Sequence, residues 1–203
     1  MNNLNQSPLL KLIPLLFLLM VAEPACKIKI KTAEEPADMK KIDMPIGDVY
    51  KVIINGIPQV DIVRAKSASI IITASPEDLG KVEMDTINGT LTVKYKEGER
   101  QNTVRVTLRI DRLESLKANA VGNLRMEDIL DTERAEVELN GIGQADLQLT
   151  SREIRCAVSS AAKVKIAGVA NGGDIRLTAI ALLDLSGFDA GSAKLQKTAI
   201  AKQ

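Results

Sequence analysis

From about residue 43 onward, apolar and polar positions alternate with period two through most of the chain, the spacing of strands that bury one face. Tyr50-Lys51-Val52-Ile53-Ile54, Val60-Asp61-Ile62-Val63, Ser69-Ile70-Ile71-Ile72-Thr73-Ala74, Thr90-Leu91-Thr92-Val93-Lys94-Tyr95 and Val104-Arg105-Val106-Thr107-Leu108-Arg109-Ile110 are rich in β-branched residues and read as strands. Asn88-Gly89 is a hairpin signal between Val82-Glu83-Met84-Asp85-Thr86-Ile87 and the strand that follows. Pro76-Glu77-Asp78-Leu79 predicts a short helical turn, with little other helix beyond the leader.

A second period of about twenty residues overlies the first. Asn55-Gly56-Ile57-Pro58-Gln59-Val60-Asp61-Ile62 and Asn140-Gly141-Ile142-Gly143-Gln144-Ala145-Asp146-Leu147 match at five of eight positions. Weaker copies begin at Asn119, Ser159, Thr178 and Thr198, so that from Asn119 the spacings are 21, 19, 19 and 20. Each copy opens on a small polar residue followed by Gly, Ala or Ser, which suits a tight corner between strands. Three residues before the corner stand Leu116, Val137, Cys156 and Ile175; five after it stand Leu124, Ala145, Val164 and Leu183. Val52, Ile54, Val60 and Ile62 occupy the same columns around the first copy. Strand, corner and strand returning to the same column describe one coil of a solenoid whose inward side chains stack on those above and below.

Two outward columns read Arg125, Asp146, Lys165, Asp184 and Glu136, Arg155, Asp174, Lys194, and the sign of charge changes at every step. Neighbours in a parallel stack lie ~4.8 Å apart, where opposite charges support the register. The expected fold is therefore all-β, a parallel β-solenoid with coils of about 20 residues and a hairpin-containing N-terminal part that closes one end.

Residues 1–26 read differently. A polar start with one cation, Lys11, leads into the apolar run from Leu12 to Ala22. Eleven residues at ~1.5 Å each fall short of a ~30 Å hydrocarbon core, so the run reads as a signal peptide. The signal ends Glu23-Pro24-Ala25-Cys26. Two readings stand. Cleavage ahead of Cys26 would make that residue a lipid attachment site and the N-terminus of a membrane-anchored lipoprotein, although Glu23 stands where an aliphatic residue is usual. Ordinary cleavage near Ala22 or Ala25 would release the chain. Export to the periplasm, outer membrane or cell surface is expected either way, with residues 27–42 as a tether and 43–203 as a single domain.

Composition narrows the chemistry. The 203 residues carry 27 Lys and Arg against 26 Asp and Glu, with no His, no Trp, two Tyr and two Phe. Without histidine, the Ser-His-Asp and Cys-His arrangements and His-containing metal sites are impossible. A net charge of +1 and so few aromatics provide neither the field nor the stacking platforms that nucleic acid needs. Of two cysteines, Cys156 stands in an apolar column and reads as a buried free thiol rather than half of a disulfide.

Segments Val52 to Ile62, Ile87 to Val93 and Val104 to Leu116, followed by the small-residue corners from Asn119, resemble in order and spacing the head GIN domain of putative autotransporter adhesins, over about residues 43–203. That resemblance implies a right-handed β-helical domain of envelope and secreted proteins, with adhesion as the role the family name carries. The family's corners are often Ser-Gly-Ser-Gly-like, whereas Ala fills several Gly places here. The chain also stops within the corner at Thr198, where relatives often add coils.

The leading expectation is thus a non-enzymatic exported module for adhesion or envelope assembly, without cofactor or nucleic acid, meeting a protein or glycan ligand. An alternative is a carbohydrate-active β-helix enzyme using Asp61, Asp146, Asp174 and Asp184, which the alternating columns explain better as a solvated charge ladder. Asp128, Asp131, Glu133 and Glu136 could bind calcium through oxygen, but their spacing matches no calcium loop, so an exposed acidic loop is the better reading. An open strand edge near Gln203 predicts self-association or a partner strand at that end.

Overall fold

The computed structural model describes residues 38–96, 104–127 and 132–200. The expected leader with Cys26, and most of the expected tether, lie outside them. The elements are β1 (Lys40–Pro45), β2 (Lys51–Asn55), β3 (Gln59–Arg64), β4 (Ser69–Ala74), α1 (Pro76–Leu79), β5 (Val82–Ile87), β6 (Thr90–Tyr95), β7 (Arg105–Ile110), β8 (Ser115–Asn119), β9 (Asn123–Met126), β10 (Thr132–Asp189) and β11 (Lys194–Ile200). The fold is all-β, as the alternation predicts. β1 begins at Lys40, inside the stretch read as tether, because Ile42 pairs with Ile72 and Met44 with Ile70 of β4.

One sheet holds all eleven strands, in the order β1-β4-β7-β3-β9-β10-β8-β2-β6-β5 with β11 on β10. It is mixed. Pairs β1–β4, β4–β7 and β5–β6 are antiparallel, whereas β2–β6, β2–β8, β3–β7, β3–β9, β8–β10, β9–β10 and β10–β11 are parallel. The antiparallel pairs all fall in the N-terminal half, where the hairpin was expected. Asn88 (φ +49°) and Gly89 (φ +72°) make that hairpin's two-residue turn.

The 58-residue β10 would run ~190 Å if straight, at ~3.3 Å per residue. It folds back at corners instead. Left-handed backbone occurs at Ala120 (φ +53°), Gly141 (+64°), Ser160 (+54°), Ala179 (+53°) and Ala199 (+54°), each one residue after the small polar residue that opens a repeat copy. Gly56 (+72°) does the same after Asn55. The small polar residues are stacked as well. Asn119 Nδ2 donates to Asn55 Oδ1 at 3.1 Å, and Ser159 Oγ donates to Asn140 Oδ1 at 3.1 Å. Side-chain hydrogen bonds therefore tie successive corners together.

The core follows the predicted columns. Val52, Leu116 and Val137 are register partners, as are Ile54, Ala118 and Leu139, and all six are at most 1% exposed. Across the corner, Val60, Leu124 and Ala145 line up, as do Ile62, Met126 and Leu147. Cys156, nineteen residues after Val137, is buried as its apolar repeat position predicts, and burial pushes its thiol pKa up to about 12.

α1 is a single turn that Ser75 caps by accepting from Asp78 N at 3.1 Å, with Pro76 at the first helical position. Asp78 is completely buried, and its carboxylate accepts from Tyr95 OH at 2.7 Å, with Lys81 Nζ at 3.9 Å. This bond ties the turn after β4 to the end of β6.

Candidate functional site

Among the described residues, a charged groove of about 460 Å³ crosses the coils at the strand entries. Its lining combines the cations Lys51, Arg134 and Arg155 with the carboxylates Glu114, Glu136, Glu153 and Asp174, together with Ser115, Ala135, Ile154 and Gly173. The twenty-residue period places them. Lys51, Ser115 and Glu136 are register partners on β2, β8 and β10, and Asp174 faces Lys194 of β11. Each rung thus presents its outward residue at the same depth, and the alternation of the chain turns into alternation across the stack.

One ion pair, Arg134–Glu153, lies in the groove lining, and two others join neighbouring coils outside it. Arg134 Nε lies 2.9 Å from Glu153, Arg152 Nη1 3.2 Å from Glu133, and Lys117 Nζ 3.0 Å from Glu138. The Glu138 carboxylate, through its hydrogen bond first and its charge second, raises the Lys117 pKa. These groups are largely exposed, where such a pair contributes ~0.2–1 kcal/mol, so they organise the surface more than they stabilise the fold. Arg134–Glu153 and Arg152–Glu133 were missed in the sequence reading, although both obey the same 19-residue spacing and opposite sign.

The four carboxylates of the enzymatic alternative are not brought together. Asp174 lines the groove, whereas Asp61 and Asp146 stand across the corner, both in register with Arg125 of β9. Asp184 follows in that second column, where the backbone N–H of Ser186 donates to it at 2.9 Å and, with the Ser186 side chain and the charges of Lys165 and Lys163, lowers its pKa. Of the four residues weighed for calcium, Asp128 and Asp131 lie outside the described residues. Glu133 accepts from Arg152, and Glu136 accepts from Ser115 Oγ at 3.4 Å. Both are thus engaged within the charge ladder. No helix among the described residues is long and apolar enough to cross a membrane.

A family model described as putative auto-transporter adhesin, head GIN domain, matches residues 50–202. No curated protein matches the chain. Several solved structures are similar in fold. One is a putative adhesin from Parabacteroides merdae, 16% identical with a TM-score of 0.55, covering 80% of this chain and 76% of that one. Another is described as a putative lipid binding protein from Parabacteroides distasonis, 10% identical with a TM-score of 0.52, covering 80% of each. A third is a putative adhesin from the same species, 12% identical with a TM-score of 0.50, covering 80% of this chain and 79% of that one. At such identities the likeness is one of fold.

Proposed function

Since the chain belongs to the family of the putative auto-transporter adhesin head GIN domain, we propose that it is an exported, non-enzymatic adhesion or assembly module of the bacterial envelope. In this reading residues from Asn119 onward wind as a right-handed parallel β-solenoid of about twenty residues per coil. The left-handed residues at 120, 141, 160, 179 and 199 support it, and right-handed crossover is the rule for parallel strands.

The observation that carries the functional reading is the groove. Three cations and four carboxylates line it across successive coils, and no aromatic side chain is among its lining residues. Such a track suits an extended polar chain, a glycan or a protein segment, that crosses several rungs and meets donors and acceptors in turn. An apolar lipid would find a poor lining there.

Binding of the purified domain to glycan and protein arrays tests the reading. Replacing Arg134 and Arg155 together by Glu should weaken any array ligand by about tenfold or more, the loss of roughly one charged contact. A ligand bound equally well by that variant would refute the groove. Turnover of a glycan that Asp174→Asn abolishes would replace adhesion with catalysis. Membrane attachment is a separate part of the proposal: Cys26→Ser should release the protein from the membrane fraction, and an unchanged distribution would remove the lipid anchor.

A further inference from the structure

Four Asn-Gly pairs occur in the chain, at 55–56, 88–89, 140–141 and 171–172. Glycine has no side chain to shield its own nitrogen, so in such a pair that nitrogen can reach the asparagine Cγ. The attack is a nucleophilic step that needs the glycine N–H to lose its proton, which makes the surroundings of each nitrogen decisive. Three of the pairs begin inside the stack. Asn55 ends β2, and Asn140 and Asn171 lie within β10. Gly56 N donates to Asn119 O at 3.0 Å, and the Oδ1 atoms of Asn55 and Asn140 accept from Asn119 and Ser159 of the next corner. Asn171 is tied by Ser192, whose N and Oγ both donate to its carbonyl. Attack at these places has to break hydrogen bonds between coils.

Asn88 differs. It is exposed in the turn between β5 and β6, and among the described residues nothing accepts from Gly89 N. The carbonyl that shares a peptide unit with this nitrogen has a donor of its own, because Tyr50 OH donates to Asn88 O at 3.2 Å. That donor is fixed in place. Gly89 O accepts from Tyr50 N at 3.0 Å and from Lys51 N at 3.1 Å, and a methyl group on Gly89 would run into the Tyr50 ring. Lys51 Nζ and the Arg112 guanidinium each lie 5.6 Å from the centre of that ring. When Gly89 N–H ionises, the charge is shared with Asn88 O, where the hydroxyl donates and the two cations stand close by. Both influences favour the anion.

We propose that Asn88 is a site of spontaneous covalent modification and that Tyr50 promotes it. Gly89 N, its proton lost to solvent, bonds to Asn88 Cγ; the Cγ–Nδ2 bond breaks, and ammonia leaves with a proton taken from water. A succinimide ring results. Water then adds to either ring carbonyl and opens the ring to aspartate or isoaspartate. In sum, one amide and one water give one carboxylate and one ammonium ion, with no oxidant or cofactor involved. Isoaspartate routes the main chain through the former side chain and lengthens a two-residue turn by a methylene. Gly89 O then loses its place opposite Tyr50 N and Lys51 N, and Lys51 lines the charged groove. The modification therefore reaches the groove, although the reaction does not depend on what the groove binds.

Peptide mapping by mass spectrometry, on the full chain sampled through incubation in alkaline buffer, follows all four pairs at once. Asn88 should convert first and give both aspartyl and isoaspartyl peptides. Tyr50→Phe keeps the ring and removes the hydroxyl, and it should slow Asn88 about tenfold, the effect of one hydrogen bond to a charged group. A merely loosened hairpin would convert faster, so the sign of the change separates promotion from lost packing. Arg112→Gln leaves the hydroxyl in place and should slow Asn88 by about two- to threefold, as expected of one exposed charge. Circular dichroism establishes that each variant is folded, and if Tyr50→Phe is not, Arg112→Gln decides. Conversion of Asn88 no faster than that of Asn55, Asn140 and Asn171 would overturn the proposal. So would a folded Tyr50→Phe, or in its absence Arg112→Gln, whose Asn88 converts at the wild-type rate or faster.

Discussion

Gly141 and Gly143 lie two residues apart in one corner and resist substitution for different reasons, which allows a graded test of the coil geometry. A methyl group on Gly143 would sit 2.4 Å from the carbonyl oxygen of Gly122 in the coil below. An ordinary carbon–oxygen contact is ~3.3 Å, so about 0.9 Å must open. The same oxygen accepts from Gln144 N at 2.8 Å, and a displacement of that size takes the bond out of range. An unmet backbone carbonyl costs ~1–3 kcal/mol and strain from overpacking a similar amount, so Gly143→Ala should destabilise by ~2–4 kcal/mol. Gly141 differs. An added methyl there meets nothing nearer than Ala120 N at 3.5 Å, and only its φ of +64° resists a side chain. The cost of Gly141→Ala is ~1–2 kcal/mol, and Gly141→Asn should cost less because Asn tolerates left-handed backbone. The protein itself holds Ala at the equivalent positions 120, 179 and 199. Urea unfolding followed by circular dichroism, with m-values compared to confirm that the same surface is exposed, measures all three. If Gly143→Ala costs no more than Gly141→Ala, the close stacking of coils at this corner is wrong.

Two further outcomes rest on buried groups. The Cys156 thiol is raised by burial from 9.0 to about 12, so its native neutral form contributes stability that is complete below pH 9 and is lost as pH rises toward 12. The slope is ~1.4 kcal/mol per pH unit, and Cys156→Val should remove it, so that wild type and variant diverge only above pH 9. Parallel stability profiles up to pH 10.5 would show that the thiol is not buried. Tyr95→Phe removes the hydroxyl that donates to fully buried Asp78 at 2.7 Å and should cost ~1–3 kcal/mol in thermal or urea unfolding. A change under ~0.5 kcal/mol, within the range of ordinary surface substitutions, would mean the bond does not anchor α1.

Much of the candidate site was legible because its geometry is periodic. The pairs Arg125–Asp146 and Asp174–Lys194 were read as neighbours and are register partners. The short ion pairs fall elsewhere, on Arg134–Glu153, Arg152–Glu133 and Lys117–Glu138, because side-chain reach and rotamer, rather than column membership, decide which charges come within 4 Å. Which carboxylates share a surface was legible only in part. Asp61, Asp146 and Asp184 fall beyond the corner from Asp174, and the repeat marks that corner, but only the folded coil shows that the groove stays on one side of it.

The amino-acid sequence alone determined what is local: strands from the period-two alternation, corners from a small polar residue followed by Gly, Ala or Ser, the Asn88-Gly89 turn, and the burial of Cys156. The first three depend on a residue's own backbone preference or on neighbours within one coil, and the burial of Cys156 on the apolar column that the repeat sets out. Tertiary structure alone decided the order of stacking. In the chain, β2 and β3 precede β6 and β7, which precede β8 and β9; in the sheet, β2 lies between β6 and β8, and β3 between β7 and β9. Val52 therefore packs between Leu91 and Leu116, with one neighbour 39 and the other 64 residues away. Columns of Val, Ile and Leu are nearly interchangeable as cross-strand partners, so nothing in their pattern distinguishes one order from another. The choice falls to the connections and to the antiparallel pairs β1–β4, β4–β7 and β5–β6 at the N-terminal end of the stack.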